Sequence, residues 1–258
     1  GIVRNLLSKN LSIVAFDSDE EVVNKLKGSR IEVAKNPSEV AKKVSILFLC
    51  LPFTPQIEEV LFGEFGVINS FCPNLLIVDM STIYFDDAQN ISLRLQKSDI
   101  SYCDAPISGL PLRARKGTLT IMFGGSRKAY SQALPYLDLI GEFIVYCGEC
   151  GSGQLMKGFN NVVYNINIAA VSEILSLALK SGLSSAALEK VFISGSSRSF
   201  ASEYFVPKML RKEFTGDYPM DAALKDIVNV QKAISDVTQD KPILEAMIGI
   251  YNEALKKG

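Results

Sequence analysis

The sequence predicts an α/β domain, built on a mostly parallel, doubly wound sheet, followed by an all-helical domain. Three observations predict it. Through the first half, short apolar runs rich in β-branched residues alternate with helical stretches of ~10–15 residues, the rhythm of βαβ units. After Gly148 strand patterns stop and apolar residues recur only at helical spacing. Gly151-Ser152-Gly153 punctuates the change. The expected organisation is an α/β domain over residues 1–150 and a helical domain over residues 151–258.

Taken in order, residues 1–9 read as a helix with apolar Ile2, Val3, Leu6 and Leu7, followed at once by a strand from Leu11 to Phe16 that ends at Asp17. Asp19, Glu20 and Glu21 open a helix to Lys27, negative charge suiting the positive end of a helix dipole. Ile31 to Ala34 is a brief strand. Asn36-Pro37 supplies a cap and a first helical position for a helix to Lys43. Val44 to Leu51 reads as one continuous buried strand halted by Pro52. A helix follows, then a strand at Leu75–Asp79, a helix at Phe85–Lys97 and a strand at Ser101–Asp104, from which residues 104–111 leave as a loop. Strands Thr118–Phe123 and Phe143–Cys147 bracket a helix that begins near Ser126. Five helices complete the chain, at 154–181, 184–194, 200–211, 220–235 and 240–256. The longest apolar stretch, Val162 to Leu179, carries Asn165, Asn167 and Glu173, and so reads as a buried helix rather than a membrane span.

Composition narrows the function classes. Of 258 residues, 27 are Lys or Arg and 28 Asp or Glu, without a basic block, which argues against capture of nucleic acid or an anionic membrane. A chain 48% hydrophobic and 21% charged is globular in balance. There is no histidine. That removes Ser-His-Asp and Cys-His catalysis and every zinc site needing imidazole, so proton transfer must use Lys, Asp, Glu, Tyr or Cys, and no metal is expected. Five scattered cysteines, an odd number, read as reduced thiols. With no secretory pattern at Gly1–Asn5, the expected location is cytoplasmic.

Five constellations could carry chemistry. Asp17 stands at the end of an early strand, where an acid in a dinucleotide-binding fold accepts hydrogen bonds from ribose hydroxyls and repels a 2′-phosphate; on spacing alone it reads rather as a helix cap shared with Ser18 and Asp19. Asp104-Ala-Pro-Ile-Ser108-Gly109 leaves a strand with a hydroxyl and small residues, where backbone N–H groups could hold a carboxylate or merely form a turn. Gly151-Ser-Gly-Gln154-Leu-Met-Lys157 starts a long helix, with Lys157 and Asn161 on one face. A helical lysine is usually solvated. This one, early in an apolar helix, would meet the dipole and partial burial, both of which depress a lysine pKa. Cys147-Gly-Glu-Cys150 has redox or zinc spacing but no second ligand pair, and reads as structural. Lys225-Asp226 reads by itself as a solvated pair.

These pieces, in order, resemble the β-hydroxyacid dehydrogenase family. The matching segments are Asp79-Met-Ser-Thr-Ile83, Asp104-Ala-Pro-Ile-Ser-Gly109, Gly117-Thr-Leu-Thr-Ile-Met-Phe-Gly-Gly125, Gly151-Ser-Gly-Gln-Leu-Met-Lys157 with Asn160-Asn161, and Lys225-Asp226. The resemblance implies a Rossmann-type NAD-binding domain and a helical substrate and oligomerisation domain, working as a homodimer or homotetramer. It implies that Lys157 is the catalytic acid and base, that Ser108 and Gly109 hold the substrate carboxylate, and that Asn161 orients the substrate hydroxyl. Gly1, as the last glycine of a phosphate loop, together with Asp17, Leu51, Pro52, Thr82 and Lys225, matches cofactor-contacting positions. Asp17 favours NAD over NADP, since NADP-preferring members carry Arg there. The family's first strand and most of its glycine loop are missing, so the chain reads as N-terminally truncated. Leu110 replaces a glycine usual after Ser-Gly, and Phe85 stands where proline is common.

The expected reaction is hydride transfer between NAD and a small 3-hydroxy acid or its semialdehyde. Alternatives are an NADPH-dependent reductase of the glyoxylate or succinic semialdehyde type and a non-catalytic scaffold. Lys157 argues against the scaffold and against imine reduction, and residues 152–258 are too few for a 6-phosphogluconate dehydrogenase.

Overall fold

The computed structural model describes residues 1–26, 30–214 and 219–257. It divides into two compact units, Gly1–Lys157 and Gly158–Gly258, each with its own core. The Thr215–Tyr218 segment before the Lys225 helix lies outside the described residues.

In the first unit, β1 (Ile13–Ala15) and β2 (Ile31–Val33) form a parallel pair. A six-stranded sheet holds β3 (Ile46–Leu49), β4 (Leu76–Asp79), β5 (Ser101–Asp104), β6 (Ile107–Ser108), β7 (Leu119–Gly124) and β8 (Gly141–Gly148). β3, β4 and β5 run parallel, as do β7 and β8, while β7 is antiparallel to β5 and β6. The mostly parallel sheet is thus as the alternation predicts.

Strand β4 shows why the winding is double, since all four of its residues are buried. Leu76 and Val78 join a core with Phe123 of β7, Ala133 and Leu137 of α7 (Arg127–Leu137), and Leu6 of α1 (Ile2–Ser8). Ile77 and its neighbour Leu75 face the other way, onto Ile57 and Leu61 of α4 (Thr54–Phe62) and Ile91 and Leu95 of α5 (Phe85–Gln96). Alternate residues reach opposite faces, so a strand covered on both sides reads as a continuous apolar run, here Leu76–Val78, with the buried Asp79 at its end.

Helix starts follow local chemistry. Asn36 Oδ1 accepts the Glu39 N–H at 2.8 Å, with Pro37 opening α3 (Pro37–Ala41). Ser126 Oγ accepts the Ala129 N–H at the start of α7.

Three expectations need correction. The strand runs Ile46–Leu49 rather than Val44–Leu51, and Ile46–Phe48 are only half-buried; past Leu49 the Leu51 N–H turns away to the Ser81 hydroxyl at 2.9 Å. Residues 104–111 are not a loop. Ile107 and Ser108 pair with β7, and α6 (Leu110–Lys116) follows, ending on Gly117 in the left-handed region at φ 69°. Pro111 belongs to the first turn of this helix, where its missing N–H costs nothing. The third concerns the long helix of the second unit.

That helix, α8 (Ser152–Lys180), begins in the first unit and continues as the longest element of the second. It is followed by α9 (Ser185–Ser194), α10 (Phe200–Arg211), α11 (Met220–Ala233) and α12 (Pro242–Lys257). Among the described residues after Gly148 there is no strand. Val162 packs with Ile227 and Val230 of α11 and Met247 and Tyr251 of α12; Val171 and Leu175 pack with Leu188 of α9 and Val206 of α10.

The expectation of a buried α8 fails. The helix is long and apolar enough to cross a membrane, yet only 22% of its most apolar window is buried, and Val163, Ile174 and Leu177 are exposed. Its buried polar residues fix it as a bundle helix. Asn165 Oδ1 accepts from the Tyr251 hydroxyl at 2.8 Å, and Asn165 Nδ2 donates to the Asn161 carbonyl. Gly158 lies so close to Val230 that a Cβ would fall 2.4 Å from its Cγ2.

Candidate active site

The C-terminal ends of parallel strands carry several of the singled-out residues. Asp17 follows β1, is exposed, and accepts the Asp19 N–H on Oδ1 at 2.9 Å. This is the turn geometry of the cap reading, and it leaves the carboxylate facing solvent. Gly1 caps α1 and packs on α6, where a Cβ would come within 2.9 Å of the Ala114 backbone. Beyond β3, Leu51 is half-buried, and Pro52 and Phe53 are exposed.

Beyond β4, Ser81 and Ile83 are buried on either side of a half-buried Thr82. This loop is held from below by Asp79, whose Oδ1 accepts the Ser81 N–H at 2.9 Å and whose Oδ2 accepts the Tyr102 hydroxyl at 2.8 Å. Burial raises the Asp79 carboxyl above its ordinary pKa and the Tyr102 phenol well above its own.

At the end of β5, the fully buried Asp104 meets the start of α8. Its Oδ1 accepts the Gly151 N–H at 2.6 Å and its Oδ2 the Gln154 N–H at 2.7 Å. A carboxylate is the natural partner for the unsatisfied N–H groups of a helix start. Burial nevertheless outweighs these bonds and pushes the Asp104 pKa up from 3.8 to about 6.

The approach of helix to sheet demands two glycines. A Cβ on Gly153 would lie 2.3 Å from the Met122 carbonyl oxygen, and one on Gly124 would lie 2.6 Å from the Gly153 nitrogen. Gln154 then reaches back to the Thr82 loop, accepting the Ile83 N–H at 3.1 Å and donating to the Ser81 carbonyl at 2.8 Å. Lys157, half-buried, follows one turn later on α8.

Ser108 lies in β6 opposite Thr120, and Gly109 caps α6 at φ 145°. Leu110 adopts φ 54°, a left-handed conformation that a leucine takes only under strain. The glycine that the resemblance leads one to expect there would adopt it freely.

In the second unit, Asn161 is buried and its Nδ2 donates to Asp226 Oδ2 at 2.8 Å. The other oxygen, Oδ1, lies 3.7 Å from the Lys225 ammonium. Asp226, itself buried on α11, therefore joins two of the singled-out positions. The reading of Lys225-Asp226 as a solvated pair does not hold, since an i, i+1 motif does not reveal that its acid faces a buried asparagine.

Gln154 also went unrecognised. Its spacing of three from Lys157 puts the two on adjoining parts of one helix surface, but its partners are 71 and 73 residues away, beyond any local pattern. All five cysteines are free thiols. The Cys150 thiol donates to the Ala88 carbonyl, and burial beside Asp104 pushes its pKa up to about 12, which suits a structural role. Among the described residues no group of three or more potential ligands could hold a metal.

Residues 1–148 match the model of the NAD binding domain of 6-phosphogluconate dehydrogenase, and residues 151–258 match the NAD-binding domain of NADP-dependent 3-hydroxyisobutyrate dehydrogenase. The chain belongs to the β-hydroxyacid dehydrogenase family. Within this family it is 35% identical to the probable mitochondrial 3-hydroxyisobutyrate dehydrogenase of Dictyostelium discoideum, over 79% of this chain and 63% of that protein. It is 33% identical to the 2-hydroxy-3-oxopropionate reductase of Escherichia coli, over 76% of this chain and 66% of that protein. The chain thus spans just under two thirds of these relatives. The crystal structure of a 3-hydroxyisobutyrate dehydrogenase from Salmonella typhimurium superposes with a TM-score of 0.89 at 24% identity, covering 100% of this chain and 90% of that one, and establishes the shared fold.

Proposed function

We propose that this β-hydroxyacid dehydrogenase exchanges a hydride between NAD and a small 3-hydroxy acid or its semialdehyde, with Lys157 as general acid and base. The observation that carries the reading is the setting of Lys157: half-buried, one turn into a helix whose start is fixed to β5 by Asp104 and to the Thr82 loop by Gln154. The relatives named as 3-hydroxyisobutyrate dehydrogenases and as a 2-hydroxy-3-oxopropionate reductase support the substrate class.

The residues present suit a dinucleotide. An exposed carboxylate after β1 is a fitting acceptor for ribose hydroxyls, and exposed Pro52 and Phe53 after β3 offer apolar surface. In this reading Gly1, Asp17, Leu51, Pro52, Thr82 and Lys225 hold the cofactor, which supplies or accepts the hydride. Ser108 and Gly109 hold the substrate carboxylate. Asn161, its amide oriented by Asp226, aligns the substrate hydroxyl. In reduction the Lys157 ammonium donates its proton to the carbonyl oxygen as that oxygen becomes a hydroxyl. In oxidation the neutral amine takes the hydroxyl proton. The exposed apolar residues Val163, Ile174, Leu177, Leu183 and Val191 support a homodimer or homotetramer, and the free thiols support a reducing compartment such as the cytoplasm.

A second reading takes NADP in place of NAD. It is favoured by the family model matched at residues 151–258, which describes an NADP-dependent enzyme. Asp17 opposes it, because a carboxylate repels a 2′-phosphate. The test follows nicotinamide absorbance with NAD or NADP and a panel of small 3-hydroxy acids, using the protein as its gene encodes it. Turnover with NAD supports the reading, and turnover with NADP alone refutes the Asp17 argument. No turnover despite measurable cofactor binding refutes the 3-hydroxy acid substrate class and leaves another substrate or a scaffold.

A further inference from the structure

We propose that Gln154 is a positioning residue that holds the cofactor-side Thr82 loop in fixed register with Lys157. The inference rests on the catalytic reading above and adds a device to it. Gln154 does with its side chain what a neighbouring strand does with its backbone. Its Oε1 accepts the Ile83 N–H at 3.1 Å and its Nε2 donates to the Ser81 carbonyl at 2.8 Å, so the two peptide groups flanking Thr82 are both engaged by one amide. The partners dictate the amide's orientation, one being a donor and the other an acceptor. Gln154 is buried, as are Ser81 and Ile83, so water does not readily replace these bonds.

The connection runs further on each side. The Ser81 hydroxyl accepts the Leu51 N–H at 2.9 Å, which ties in the segment after β3. At the other end, the Gln154 N–H is held by Asp104, which fixes the backbone from which both Gln154 and Lys157 project. Leu51 and Thr82 are thereby linked through hydrogen bonds to the first turn of the lysine helix, all within one compact unit. An apolar residue of the same size at 154 would fill the space but leave the loop free to move relative to Lys157.

A displacement of that kind lowers turnover more than binding, because hydride and proton transfer need their groups aligned at once. Gln154→Leu is expected to keep the fold and hold the cofactor dissociation constant within about threefold, while kcat falls by about 30- to 100-fold. In cofactor-free protein the Ile83 amide should exchange its hydrogen at least about tenfold faster.

Gln154→Glu supplies the rescue. When protonated, the carboxyl reproduces both bonds, accepting from Ile83 and donating to Ser81; when ionised, it faces the Ser81 carbonyl with no proton to give. The ratio of its kcat to that of the unaltered protein is expected near unity in mild acid and to fall with rising pH toward the Leu variant's value.

Three results would overturn the proposal: a folded Leu variant with unchanged kcat, a loss matched by an equal loss of cofactor affinity, or a Glu variant whose ratio does not vary with pH. Should the Leu variant not fold, the Glu variant decides alone. Absence of Lys157-dependent turnover in the unaltered protein overturns the catalytic reading itself, and this proposal with it.

Discussion

Replacing Gly153 with alanine is expected to damage stability and turnover together. The added Cβ would lie 2.3 Å from the Met122 carbonyl oxygen, 2.7 Å from Asp104 Oδ2 and 3.1 Å from the Asp104 carbonyl oxygen. Two of these atoms are backbone, and the third already binds Gln154, so the helix start must retreat. Ordinary contact requires about 1 Å of movement, which stretches the two Asp104 bonds beyond useful length. Bonds to a buried charged acceptor contribute about 1.5–3 kcal/mol each. The better helix propensity of alanine returns about 1 kcal/mol. The expected net loss is about 3 kcal/mol, a fall of about 6–12 °C in Tm for a chain of this size. Lys157 moves with the helix, and misplacement on this scale lowers kcat by about 100-fold. Thermal unfolding by circular dichroism and steady-state kinetics measure the two effects. A variant within about 2 °C and threefold of the unaltered protein would refute the close-contact argument.

Gly249→Ala is the contrasting case. This glycine lies inside α12 with nothing within 4 Å of an added Cβ, so alanine should stabilise by about 0.5–1 kcal/mol; a lower Tm would contradict this. Asp104 should leave a signature in stability against pH. Its folded pKa, about 6, lies above the ordinary 3.8, so between these values the folded state keeps a proton that the unfolded state has lost. Its contribution therefore declines as pH rises from about 4 to about 6 and stays level above, by about 3 kcal/mol in all. The difference in unfolding free energy between the unaltered protein and Asp104→Asn should trace that decline, and a difference independent of pH would refute it. Leu110→Gly should relieve about 1–2 kcal/mol of left-handed strain while giving back about 0.5–1 kcal/mol in chain entropy. Unfolding by denaturant should show equal or slightly higher stability, and a clear loss would show that the leucine side chain packs more favourably than its backbone suffers.

The fold was legible to the extent that local pattern determines it. β4 is apolar from Leu76 to Val78 because both its faces are covered, and that run reads directly as a buried strand. Asn36, Ser126 and Ser184 mark helix starts by chemistry that acts within four residues. Failures occurred where a distant partner decided the outcome. The strand before Pro52 stops early because Ser81 captures the Leu51 N–H, and Ile107-Ser108 becomes a strand because β7 is beside it. The long helix was read as buried from its apolarity, yet much of that surface is exposed.

The candidate site divides in the same way. Lys157 and Asn161 stand out through helical spacing and glycine punctuation, and the resemblance supplies their roles. Asp226 and Gln154, which orient what lies around them, are ordinary polar residues in sequence. Their importance comes from partners 65 to 73 residues distant.

The central claim is that Lys157 moves the proton. It is tested most directly by comparing Lys157→Met with the unaltered protein, following nicotinamide absorbance with the best 3-hydroxy acid found, alongside melting temperature and cofactor affinity. The account predicts a kcat lower by about 10²- to 10⁴-fold with folding and cofactor binding retained. An unchanged rate in a folded variant would contradict it.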